Sequence, residues 1–209
     1  MENVKAAVDA NNISFDDFDL ELKTYAKEHK VPIILDSGLA FLEKIIKDNN
    51  PKKILEIGTA IGYSSIRMAK ASDAIIYTIE RNEEMYNLAI NNIKRANLEN
   101  RINVIYKDAL LAYDDIKDNI FDIIFIDAAK AQYKKFFDIY SKSLSPSGII
   151  VCDNMLFHGL VEKDISTYSR SVRGLIRKLK DFHEYLFNNK DYDTKLYDIG
   201  DGISVSKKI

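Results

Sequence analysis

Residues 53–64 read KILEIGTAIGYS, an apolar run that closes on an acid, a glycine turn and a hydroxyl. Ile54, Leu55 and Ile57 have the pattern of a short strand buried on both faces, and Gly58 falls where the chain must turn tightly. Residues 61–70 then carry a helical pattern. Strand, glycine turn and helix in that order predict the first unit of an α/β, doubly wound, Rossmann-like sheet, in which ligands sit beyond the carboxyl ends of the strands. The turn holds Gly58 and Gly62, short of a full GxGxxG set. A dinucleotide's pyrophosphate needs close backbone approach at several points, whereas a smaller nucleoside does not.

A second apolar run, AIIYTIE at residues 74–80, also ends in a carboxylate. An acid there can accept both ribose hydroxyls of a nucleoside, which makes Glu80 the partner of Gly58. The alternative is that it merely starts the next helix, where Asn82 and Glu83 also favour the helix dipole. Further strands are expected at residues 102–106, 121–127 and 148–153, with helices at 82–96 and 130–143. Asp108 follows the third strand and could meet the ligand's base or cap a helix.

Ahead of this core, Ser14 stands before an amphipathic helix with Phe15, Phe18, Leu22 and Tyr25 at helical spacing, and Ser14 is the expected cap. Pro32 ends it, and Leu39, Leu42, Ile45 and Ile46 mark a second helix. These helices could cover the crevice or form a dimer surface. At 209 residues, 46% hydrophobic and 30% charged, one domain is expected over 1–209, with helices in 1–50 and the core in 51–209. A net charge of −2 gives no global sign of a polyanion binder, so such a partner needs a local patch. The lone Cys152 excludes an internal disulfide and reads as a packed thiol. With no signal peptide, lipidation signal or long uncharged span, a cytoplasmic protein without membrane contact is expected.

Asp127 and Asp153 end the fourth and fifth strands, and Asn154 follows at once. Strands joined by a right-handed crossover usually lie side by side, so these groups should converge. Two carboxylates and an amide oxygen suit a hard cation such as Mg²⁺ and suit zinc poorly. Each acid taken alone could simply cap the structure that follows it.

EIGTAIGYS, IERN, FIDAAKAQY and CDNMLFHGLV, in this order and spacing, resemble the metal-dependent O-methyltransferases that include catechol and caffeoyl-CoA methyltransferases. The likeness runs from about residue 31 to the C-terminus. FIDAAK with Tyr133, the DNMLF-type run ending in GLV, and DYDTK followed by GDGISVSKK resemble the bacterial branch that methylates 5-hydroxyuridine in tRNA. The resemblance implies a mostly parallel seven-stranded sheet with a C-terminal antiparallel hairpin, S-adenosylmethionine as cofactor, and a homodimer. It implies that Gly58, Ala60 and Ser64 hold the methionine part, Glu80 the ribose, and Asp108 and Ala109 the adenine, with Ile34 in contact. Asp127, Asp153 and Asn154 match the metal ligands, and Lys130 the general base, although a lysine at a helix start is ordinarily solvated.

The implied reaction converts 5-hydroxyuridine at the anticodon wobble position to 5-methoxyuridine. Methylation of a small catechol-like or caffeoyl-CoA-like phenol, and a silent S-adenosylmethionine- or RNA-binding protein, are the alternatives. In residues 171–187 an apolar stripe faces a core, while Arg170, Arg173, Arg177 and Lys180 share another face, with Lys163 upstream. Such a ridge could position tRNA through its phosphates, or be an ordinary solvated face. Tyr133, Phe157 and His158 are candidate pocket walls.

Overall fold

A computed structural model describes residues 3–4, 13–157 and 159–209, leaving aside the side chains of residues 3, 4 and 162. His158 lies outside the described residues. In chain order the elements are β1 (Asn3–Val4), α1 (Asp17–Glu28), α2 (Asp36–Asn49), β2 (Lys53–Ile57), α3 (Tyr63–Ala71), β3 (Ile75–Glu80), α4 (Glu83–Arg95) and β4 (Ile102–Tyr106). There follow α5 (Tyr113–Ile116), β5 (Phe121–Ile126), α6 (Tyr133–Tyr140), β6 (Leu144–Cys152), α7 (Arg170–Asn188), β7 (Tyr192–Tyr197) and β8 (Ile203–Lys208).

The strands lie in the order β1-β7-β8-β6-β5-β2-β3-β4. Neighbours from β6 to β4 are parallel, and β8 runs antiparallel to both β6 and β7. The expected mostly parallel seven-stranded sheet with its terminal hairpin is therefore present. An eighth strand, β1, is added parallel to β7 at the edge; two residues are too short to carry a periodicity in sequence.

Strict alternation along the central strands divides their side chains between two cores. Ile54, Ile123, Phe125, Ile149 and Val151 pack with α1 to α4. Leu55, Ile57, Ile124, Ile126, Ile150 and Cys152 pack on the other face with α5, α6 and α7. A strand buried on both faces has no polar side to show, which is why β2, β5 and β6 read as continuous apolar runs.

Two helix boundaries differ from expectation. The cap of α1 is Asp16, not Ser14: Asp16 accepts from Asp19 N–H at 2.9 Å, and Asp19 accepts in return from Asp16 N–H at 3.2 Å. This reciprocal box satisfies two orphan donors at once, which a lone serine two residues earlier cannot do. The segment 130–143 is also not one helix. It opens with a 3-10 turn at Lys130–Gln132, continues as α6, and closes with another 3-10 turn at Ser141–Ser143. Tightening of this kind is common at helix ends, and the same apolar spacing does not reveal it.

The N-terminal helices are fastened by charge. Arg67 on α3 reaches Asp19 of α1, Glu43 of α2 at 2.6 Å, and the Ser14 carbonyl at 2.9 Å. All three ionic side chains are buried. Lys70 adds bonds to Asp16 and Asp19 at 2.7 and 2.8 Å. Removing one member of a buried ion cluster leaves unpaired charge in a poorly solvated place, at a cost of about 3–5 kcal/mol. Arg67→Ala should therefore lower the free energy of urea unfolding by an amount of that order. A midpoint equal to wild type would show that α1 and α2 are held by apolar packing alone.

Candidate active site

The carboxyl ends of the parallel strands open into a cleft of about 340 Å³, within the range for small-molecule sites. Its floor is the glycine turn after β2, its base end the loop after β4, and its near wall the α1–α2 connection through Val31 and Ile34. Gly58 adopts φ +103°, and a Cβ there would lie 2.1 Å from the Asp127 carbonyl oxygen. Only glycine permits the β2 turn to cross the end of β5 at that distance.

Glu80 ties the cleft together. Its Oε2 accepts from Ala60 N–H at 2.9 Å, while Oε1 accepts from Arg81 and Asn82 N–H at 2.9 and 2.8 Å. The carboxylate thus serves the glycine turn and the approach to α4 together, though the cap proper is Asn82, which accepts from Met85 N–H at 3.0 Å. Asp108 does not cap a helix; it accepts from Leu110 N–H at 2.9 Å and pairs with Arg81 at 3.3 Å at the base end. Ile34, Gly58, Ala60, Ser64, Glu80, Asp108, Ala109, Asp127, Lys130 and Asn154 all line this cleft.

Sequence reasoning missed Glu56. It is fully buried in β2, where it accepts from Ser64 at 2.5 Å, Thr78 at 2.6 Å and Ser65; Thr59 in turn meets Thr78 at 2.6 Å. Burial pushes its carboxyl up to about 7, against the pull of the serine and threonine hydroxyls, and the charge of Asp127 adds to the rise. An acid inside an apolar run, followed by paired serines at the start of the next helix, was the available signal. Ser64 spends its proton on Glu56 and so presents an acceptor oxygen to the cleft.

β5 and β6 pair in register through Ile126 and Cys152, so Asp127 and Asp153 leave adjacent strand ends. Burial raises the pKa of both carboxyls, each charge is offset by Lys130, and Asp153 is raised further by Asp127. Asn154 stands at φ +54°, a left-handed position that turns its amide toward Lys130; Lys130 Nζ donates to Asn154 Oδ1 at 3.0 Å. That oxygen keeps a second lone pair. Among the described residues no three His, Cys, Asp or Glu side chains converge on a metal position, so a cation here would need the Asn154 amide as third donor. A buried carboxylate, Asp153, and a half-buried one, Asp127, beside an amide oxygen fit a hard divalent cation.

Other expected residues lie elsewhere. Tyr133 is not a cleft wall: it is 1% exposed, and its hydroxyl donates to the Asp153 carbonyl at 3.1 Å. Phe157 is half-buried, its ring 5.9 Å from Lys130 Nζ. Lys163, Arg170, Arg177 and Lys180 are exposed outside the cleft. Arg173 departs from that ridge, being half-buried with Nη1 donating to the Ser166 carbonyl at 3.3 Å. Helix α7 packs on the Lys130–Gln132 turn. Among the described residues no helix is long and apolar enough to cross a membrane.

Sheet order, glycine turn and acidic strand ends define a Rossmann-like methyltransferase architecture. The family model for O-methyltransferases matches residues 17–209, and the chain belongs to that family. It is 28% identical to a caffeoyl-CoA O-methyltransferase of Populus kitakamiensis, over 90% of this chain and 82% of that one. A Staphylococcus aureus structure, provisionally described as a caffeoyl-CoA O-methyltransferase, superposes with a TM-score of 0.89 at 40% identity, covering 93% of each chain. A Bacillus cereus O-methyltransferase in complex with SAH gives 0.81 at 27% identity, covering 95% of this chain and 93% of that one.

Because the folded pKa of Glu56 lies above its ordinary value of 4.5, the stability it contributes is complete below pH 4.5 and is lost as pH rises through about 7. A rise of that size corresponds to a loss on the order of 3 kcal/mol across the window. Glu56→Gln should lack this loss, so the stability of wild type relative to the variant should fall between those pH values. Parallel urea-stability profiles for the two proteins would place the ionisation of Glu56 outside this window.

Proposed function

We propose that the cleft binds S-adenosylmethionine and a divalent cation, and that the protein methylates a hydroxyl flanked by a second oxygen. The acceptor proposed is 5-hydroxyuridine at the wobble position of a tRNA anticodon. The cofactor reading is supported by the cleft lining and by the SAH complex of the B. cereus relative. When bound, S-adenosylmethionine supplies an electrophilic methyl group, and Mg²⁺ or a similar cation supplies positive charge beside the acceptor oxygen.

The chain's own residues divide the work. Ser64, with its proton committed to Glu56, is free to accept from the ammonium of the methionine part, and the turn at Gly58 and Ala60 admits that part closely. Glu80 offers carboxylate oxygens to the ribose, Asp108 and Ala109 border the adenine, and Ile34 supplies apolar contact. Asp127, Asp153 and Asn154 would hold the cation. With a cation taking over the charge of Asp127 and Asp153, Lys130 Nζ as the neutral amine would receive the acceptor proton and leave the acceptor oxygen oriented toward the methyl group that S-adenosylmethionine would supply.

The observation that carries the RNA reading is the position of α7. The helix packs on the Lys130–Gln132 turn, and its Arg170, Arg177 and Lys180 are exposed. Phosphates gathered on that face would bring an unpaired nucleotide to the cleft without melting a duplex. The relatedness to a plant caffeoyl-CoA O-methyltransferase favours a second reading, methylation of a catechol-like phenol. Both acceptors offer neighbouring oxygens to one cation, so the same residues serve either.

Methyl transfer from labelled S-adenosylmethionine to tRNA carrying 5-hydroxyuridine should be lost with chelator and in Asp153→Ala. Label confined to a catechol would select the phenol reading. Replacing Arg170, Arg177 and Lys180 with glutamine should raise the KM for tRNA about tenfold and flatten its salt dependence. An equal loss with catechol would remove α7 from RNA binding.

A further inference from the structure

Helix α6 crosses beneath the cleft on the side away from α3, and its two ends are occupied by buried tyrosines. Tyr133, at the first position, is 1% exposed, and Tyr140, at the last, is 0% exposed. Each spends its hydroxyl on a backbone carbonyl far away in sequence. Tyr133 Oη donates to the Asp153 carbonyl at 3.1 Å, and Tyr140 Oη donates to the Ala109 carbonyl at 2.6 Å. Both carbonyls belong to irregular backbone just past a strand, where the sheet ladder no longer supplies partners.

The two loops so held have different work. Asp153 and Asn154 belong to the acidic end, and the same short segment is gripped again by α7, where buried His183 Nε2 donates to the Met155 carbonyl at 2.9 Å. Leu156 and Met155 N–H groups donate to the Asp201 and Gly202 carbonyls at 2.8 and 2.9 Å, closing the loop from a third side. Asn154 stands at φ +54°, so its amide direction depends on neighbours that hold the peptide on either side. Ala109 and Asp108 form the base end of the cleft. There the chain turns through Leu111 N–H to the Asp108 carbonyl at 2.8 Å, while Tyr140 anchors the carbonyl between them.

We infer that Tyr133 and Tyr140 are positioning residues that make α6 a brace between the two halves of the site, Tyr133 fixing the cation-binding loop and Tyr140 the adenine loop. This rests on the functional reading above, in which the cation and the nucleoside occupy opposite ends of one cleft. Neither phenol touches the reacting groups. Each acts by removing freedom from a loop whose side chains do. The rings also differ in surroundings: Tyr133 meets Phe182 of α7 edge to face at 5.8 Å, and Tyr140 meets Tyr113 of α5 at 6.2 Å. Loss of one hydroxyl therefore leaves each ring packed where it was.

Titration of the full-length protein with Mn²⁺, followed by electron paramagnetic resonance, and separately with SAH by calorimetry, tests the brace. Tyr133→Phe should weaken Mn²⁺ binding about tenfold, the loss typical of a group supporting a metal ligand, and leave SAH affinity within about twofold of wild type. Tyr140→Phe should do the reverse, weakening SAH about three- to tenfold, one hydrogen bond's net worth. His183→Gln is the second probe of the cation loop, should Tyr133→Phe fail to fold, and should follow the Mn²⁺ pattern. Equal loss of both ligands in each variant, or no loss in either, would overturn the brace while leaving the function standing. Wild-type protein that binds neither ligand would overturn both.

Discussion

The carbonyl oxygen of Asp127 occupies the space where a side chain on residue 58 would begin. The turn that frames the cleft and the strand end that carries the acids are thus in backbone contact. Further bonds lock the crossing: Asp127 N–H donates to the Ile57 carbonyl at 3.0 Å, and Gly58 N–H to the Ile79 carbonyl at 3.1 Å. A substituent at residue 58 would push apart β2 and β5, two neighbouring inner strands, and with them both cores. The glycine turn and the acidic end cannot move independently, which is what a reaction between two bound partners requires of its scaffold.

Around that contact the protein concentrates negative charge where water is scarce. Glu56 and Asp153 are buried and Asp127 half-buried near the strand ends, and loss of solvent raises the pKa of each. The compensation differs in kind. Glu56 is surrounded by hydroxyls from α3 and β3, neutral donors that can serve either protonation state. For Asp127 and Asp153 the counter-charge among the described residues is Lys130, which also donates to Asn154. A hydroxyl cage suits a permanent structural group, whereas an under-compensated pair of carboxylates suits an exchangeable cation.

The N-terminal helices extend the same logic outward. Arg67 and Lys70 on α3 fasten α1 and α2 through buried acids, and the connection between those helices forms one wall of the cleft. Lys23 of α1 also pairs with Asp36 at the start of α2, at 2.8 Å. The wall is therefore pinned at both sides, by α3 beneath and by this pair across the connection.

The order of residues alone dictates the ladder of elements and the placement of acids at their ends. Runs such as ILEI and FDIIFI must be buried on both faces, and parallel order then puts Glu80, Asp127 and Asp153 at one edge because every parallel strand ends on the same side. Side chains whose partners are remote in sequence acquire their use only in the folded chain. Tyr133 has the same polar and aromatic character whether it lines a cleft or braces a loop from inside; contact with the Asp153 carbonyl, 20 residues on, makes it a brace. Glu56 looked like an incidental acid in a strand until α3 and β3 brought it their hydroxyls, and Asp16 displaced Ser14 as a cap through a reciprocal bond with Asp19. Local patterns report which face a residue occupies; only folding sets which distant donor or acceptor waits there.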